Sequence, residues 1–195
     1  MTVRLARALA LIVWIGAALA LLPPAARADG IEVRAARLEP AAEGWQLAAD
    51  FGLTLPARLE EAVNRGVMLH FVVEFDLIRP RWYWFDESVA SATLTYRLSY
   101  HALTRQYRLA LSGIAQSFPE LSDALGVMSR VRGWRVLEPD QARPGAQYEA
   151  QVRLRLDTAQ LPKPFQVNAL TNREWTLSSE WKRFRFNPET TKSAP

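Results

Sequence analysis

One segment, Tyr148 to Leu156, does most to limit what this chain can fold into. Tyr148, Ala150, Val152, Leu154 and Leu156 alternate with Glu149, Gln151, Arg153 and Arg155. Successive side chains of a strand point to opposite faces, so an apolar–polar period of two predicts a strand with one buried and one solvated face. The same alternation runs through Trp45, Leu47, Ala49, Phe51, Leu53 and Leu55, and again through Val67, Leu69, Phe71, Val73, Phe75 and Leu77. Leu94 to Tyr100 and Tyr107 to Leu111 repeat it, with a shorter strand near Ile31 to Leu38 and a last one from Glu174 to Phe186. Strands that are apolar on one side only belong to antiparallel sheets.

Two segments change period. Pro56 to Arg65, with Leu59, Ala62 and Val63, reads as a short helix stopped by Gly66. The second helix is expected to start at Ser117, with Glu120 completing a capping box and Leu121, Ala124, Leu125 and Met128 at helical spacing. Arg130 and Arg132 would complement its C-terminal dipole before Gly133 ends it. Eight or so antiparallel strands with two short connecting helices predict a mainly β protein, an antiparallel β-sandwich immunoglobulin-like in outline. A curved sheet packed on helices is the alternative.

The N-terminus predicts location. Arg4 and Arg7 precede an apolar run of 15 residues from Ala8 to Leu22, and Ala26-Arg27-Ala28 offers small residues before a cut between Ala28 and Asp29. That is the layout of a signal peptide over residues 1–28. The run is shorter than the roughly 17 to 25 residues of a spanning helix, and Pro23-Pro24 stops its extension. A periplasmic protein is expected, with an inner-membrane anchor by an uncleaved signal as the minor alternative. No cysteine follows the cut to accept a lipid. Residues 29–186 then form a single domain, and the polar 187–195 a disordered tail. The leader holds three of the 24 basic residues and none of the 20 acidic ones, so the remainder is close to neutral and argues for no nucleic-acid partner. With no cysteine, the core must hold the fold without disulfides, and thiol chemistry and cysteine-ligated metals are excluded.

Motifs for catalysis are missing. His70, Glu74 and Asp76 share one strand face, but His70 and Glu74 lie about 13 Å apart along an extended chain. Ligands of one ion must each approach to about 2 Å, so no metal and no cofactor is expected. Neither a nucleophile elbow nor a phosphate-cradling loop is present. Glu74, Asp76, Asp86 and Glu87 are the acids nearest to a hydrolase pair, the least favoured of three readings, and the protein is expected not to be an enzyme.

The densest feature is Arg79-Pro80-Arg81-Trp82-Tyr83-Trp84-Phe85-Asp86. Four consecutive aromatics cannot all face inward from an extended segment, so one pair covers the core and the other is partly exposed, unless a further layer buries all four. Arg79, Arg81, Trp82, Trp84 and Phe85 are the candidate interaction residues, suited to gripping an envelope protein partner. The second reading is an envelope glycan or a membrane surface at the same aromatics, with Arg97, Arg108, Arg153 and Arg155 as a basic face. Leu161-Pro162-Lys163-Pro164-Phe165 reads as a sheet edge or crossover, since proline cannot donate to a ladder. Trp175, Leu177, Ser179 and Trp181 alternate, whereas Phe184 and Phe186 fall out of step, which predicts a bulge near Lys182.

Gly133-Trp134-Arg135-Val136, the block from Leu156-Asp157 through Gln160-Leu161-Pro162-Lys163-Pro164, Glu174-Trp175, and Ser178-Ser179-Glu180-Trp181 together resemble the bacterial Domain of Unknown Function 4390 family, sometimes labelled proline-rich signal-peptide proteins. The resemblance covers essentially all the chain after the leader. It implies an exported protein of Gram-negative bacteria with no assigned activity and no catalytic residues to carry over. Genes of such proteins often lie near a two-component sensor kinase, which implies a link to envelope sensing or regulation.

Overall fold

The computed structural model describes residues 30–81, 86–172 and 175–188. The leader with its Ala28–Asp29 junction, the aromatics Trp82, Trp84 and Phe85, and residues 189–195 of the expected tail lie outside them.

Nine strands form two antiparallel sheets among the described residues. Three of them, β1 (Gly30–Ala41), β2 (Gly44–Thr54) and β7 (Arg130–Leu137), make one sheet in that order. The other sheet has the order β6-β5-β4-β3-β8-β9, where β3 is Leu69–Arg79, β4 Glu87–His101 and β5 Gln106–Leu111. Its remaining strands are β6 (Ile114–Phe118), β8 (Tyr148–Leu156) and β9 (Lys182–Phe186). The mainly β, antiparallel expectation therefore holds. The immunoglobulin outline is not reproduced by this order: six strands, four of them a plain meander, share one sheet, whereas that fold divides seven strands four and three.

The alternating segments behave as their period dictates. Tyr148, Ala150, Val152, Leu154 and Leu156 are buried, with half-buried polar residues between them. Phe71, Val73, Phe75 and Leu77 are fully enclosed in β3, the strand flanked by β4 and β8 at the centre of its sheet. Both sheets turn these faces toward one shared core. Trp45 of β2 meets Phe186 of β9 edge to face at 4.8 Å between centroids, so the layers are in direct contact on that flank. The β1–β2 hairpin is fixed by Gly44, whose φ of +108° excludes ordinary side chains and whose added Cβ would lie 2.1 Å from the Leu137 carbonyl oxygen.

Helix α1 (Ala57–Asn64) follows Pro56 and buries Leu59, Ala62 and Val63, as their spacing requires. Gly66, at φ +87°, turns the chain into β3. Helix α2 (Leu121–Met128) buries Ala124 and Met128, but it starts later than the expected capping box. Ser117 is part of β6, paired with Arg108, and Glu120 is the N-cap without a side-chain cap bond. The helix also ends earlier: Ser129 closes it, its hydroxyl donating to the Gly126 carbonyl at 2.8 Å. Arg130, Arg132 and Gly133 belong to β7 instead of the helix end. Gly133 has φ +67°, and inward positions shift from Val131 to Trp134 and Val136 across it, which breaks the period of two.

The proline-rich stretch is neither a sheet edge nor a crossover but a helical connection between β8 and β9, antiparallel neighbours in one sheet. A short 3-10 turn (Thr158–Gln160) leads into helix α3 (Lys163–Thr171). Proline is compatible with the first turn of a helix, where its missing N–H has no intrahelical partner to lose. Of the last expected strand, only Lys182–Phe186 is a ladder, with one isolated bridge from Ser178 to Arg155. Lys182 pairs with Val152 but Ser178 with Arg155, so one extra residue sits on the later segment, the bulge its parity predicts. Asn187 lines a surface depression and Pro188 is buried, so the folded part extends past Phe186.

Candidate functional site

Three places could carry function, and their chemistry differs. The first is the outer face of the larger sheet. His70 is opposite Arg97, Glu74 opposite Arg153, and Asp76 between Ser91 and Gln151. Arg153 donates to Glu74 at 2.5 Å and Arg155 at 2.8 Å, while Arg155 also reaches Asp157 at 3.4 Å. Burial alone would raise the Glu74 carboxyl, but the two guanidinium groups outweigh it and hold the group below the usual carboxylate range. Asp76 accepts from Ser91 at 2.7 Å and from Gln151 at 3.3 Å. Burial lowers the His70 imidazole, Arg97 adds to the effect, and Asp157 opposes it. Glu74 and Asp76 are thus engaged with guanidinium, hydroxyl and amide groups along the sheet surface. No group of three metal-ligating side chains occurs among the described residues. Arg97, Arg108, Arg153 and Arg155 do share this face, and the Arg153 guanidinium also lies 4.4 Å from the Trp181 ring centroid.

The second place is the base of the aromatic segment. Arg79 and Arg81 both bond the Glu87 carboxylate, Arg81 at 2.6 Å, and the Arg81 backbone N–H reaches Asp86 at 3.4 Å. Hydrogen bonds from Arg81 and Arg79 lower the Glu87 carboxyl. The two arginines therefore close the β3–β4 connection across its neck. Next to it a depression of about 530 Å³ runs along Leu38, Tyr148 and Phe184, between Arg37 and Arg185. Pro80 also lines it.

The third place is a cleft that sequence reading did not single out. At about 4.8 Å per strand spacing, six strands span roughly 24 Å and three strands roughly 10 Å. The smaller sheet therefore cannot cover the larger. Beyond β7 the inward faces of β4, β5 and β6 extend without a facing strand among the described residues, with α2 packed across β5, β6 and β7. The result is an open cleft of about 430 Å³. Leu94, Leu109 and Leu111 line one wall, Val131 and Trp134 the other. At its mouth Ile114 is 73% exposed and Val127 43%, with Arg130 and Arg132 alongside. Arg132 is engaged: it pairs with Asp50 at 2.6 Å and donates to the Ala49 and Val131 carbonyls. Arg130 reaches only the Gly126 carbonyl, at 3.4 Å, and makes no ion pair among the described residues.

Fold and cleft together define a two-sheet antiparallel β protein with an open apolar recess between unequal layers. No helix among the described residues is long and apolar enough to cross a membrane. The chain belongs to the DUF4390 family, whose model, described as a domain of unknown function, matches residues 28–185. No curated protein and no solved structure matches it.

Proposed function

We propose that this protein is a non-catalytic binding module of the bacterial periplasm, whose recognition site is the open cleft between β4–β6 and β7. One observation carries the reading: the larger sheet outruns the smaller and leaves leucine, tryptophan and exposed isoleucine side chains along a recess. Pockets for small molecules are typically about 300 to 1,000 Å³, mostly apolar, with a few polar groups that fix orientation. The cleft fits that description. The leader supports export, and the engagement of Glu74 with two arginines supports binding over carboxylate hydrolysis. A photo-crosslinking residue at Ile114, irradiated in living cells, tests the proposal. A discrete adduct at Ile114, absent from a control at the remote turn residue Leu103, is expected. Equal labelling at both positions, or none at Ile114 in the folded protein, contradicts it.

A further inference from the structure

Resting on the binding role proposed above, we infer that the cleft takes a single acyl chain carrying an anionic headgroup, the chain along Leu94, Leu111 and Trp134 and the headgroup at Arg130. The walls are aliphatic and aromatic, and Ile114 and Val127 carry the apolar surface out to the mouth. A flexible hydrocarbon chain removes such a surface from water without needing partners of its own. Arg130 gives the rim a cation that makes no ion pair among the described residues, because Asp50, its neighbour across β2, is taken by Arg132. An anion at the mouth therefore meets a guanidinium whose one bond among the described residues is from Nε to the Gly126 carbonyl.

Strand addition by an extended peptide is disfavoured at the same place. The free edge of β7 is broken at Gly133, with φ +67°, and its register with β2 shifts twice. The Arg132 guanidinium occupies the Val131 carbonyl at 2.7 Å. A bulged edge with a carbonyl already capped is a poor template for another strand. Along β7 the cleft therefore offers apolar burial and one cation, with little backbone pairing.

The test is calorimetric titration of the purified full chain with palmitate and with uncharged hexadecanol. Saturable one-to-one palmitate binding is expected. Ile114→Glu should weaken it about tenfold or more by bringing a carboxylate to the apolar mouth. Arg130→Ala should weaken palmitate about tenfold and leave hexadecanol unchanged. Both positions are exposed, so circular dichroism and melting temperature should match the parent. Absence of saturable palmitate binding, or binding indifferent to both substitutions, overturns the inference. Crosslinking at Ile114 separates this from the wider proposal: a protein adduct without lipid would refute the acyl chain while leaving the binding role standing.

Discussion

Two tryptophans mark the two flanks of this molecule. Trp45 lies where β1 packs across the layers onto β8 and β9, and its ring is closed off by Phe186. Trp134 lies on the opposite flank, half-buried, where no strand among the described residues lies beyond β7 to cover the larger sheet. Both side chains come from the same small sheet and carry the same apolar surface. Their difference is set by sheet width: where layers overlap, an inward aromatic becomes core, and where one layer stops short, it becomes the wall of a recess.

The sharpest way to break that comparison is to truncate both. Trp45→Ala should cost about 3 to 5 kcal/mol in urea denaturation, the usual range for a buried large aromatic. Trp134→Ala should cost no more than about 1.5 kcal/mol, since its side chain is only partly buried. Equal costs would mean that the open flank is core after all. Next in size is Gly44→Ala on the first hairpin, expected to lose about 2 to 3 kcal/mol from a forbidden φ and a clash with the Leu137 carbonyl. A thermal midpoint close to the parent would contradict that geometry.

A smaller effect belongs to the outer face. Glu74→Gln should lose about 1 to 2 kcal/mol at neutral pH by weakening two charge-assisted bonds from Arg153 and Arg155. Because the folded-state pKa of Glu74 lies below its unfolded value, its contribution is present above the ordinary carboxylate range and is lost as pH falls through the folded value. Parent and variant stabilities should therefore converge in acid. A difference that persists unchanged at low pH would assign the effect to packing. Smallest of all, Ile114→Glu should shift stability by less than about 0.5 kcal/mol. A large loss there would show that the exposed mouth holds the fold together.

How much of this was legible beforehand depended on whether local spacing carried the information. The strand Tyr148–Leu156 and helix Ala57–Asn64 follow from periodicity, because burial on one face is imposed residue by residue. The bulge before Lys182 was readable from the parity change between Trp181 and Phe184. Strand β7 was not, because the positive φ at Gly133 shifts its inward positions by one and Arg130 and Arg132 imitate a helix C-terminus. Helix α3 was hidden by Pro162 and Pro164, which deny a ladder but permit a first helical turn. Arg79 and Arg81 stood out in the sequence as candidate interaction residues, yet both bond Glu87, which the β3–β4 register places opposite Arg79. The cleft was beyond reach for a similar reason. Leu94, Leu111, Ile114 and Trp134 come from four strands, and only strand order shows that the layers differ in width.

The chain has no cysteine of its own, so single labels report single positions. Ile114→Cys on the open flank and Arg37→Cys beside β9 would each carry a polarity-sensitive dye and be titrated with palmitate. A saturable blue shift at position 114 with a flat response at 37 is the predicted result. A response at 37 alone, or equal responses at both, would contradict the assignment of binding to the flank where the sheets part.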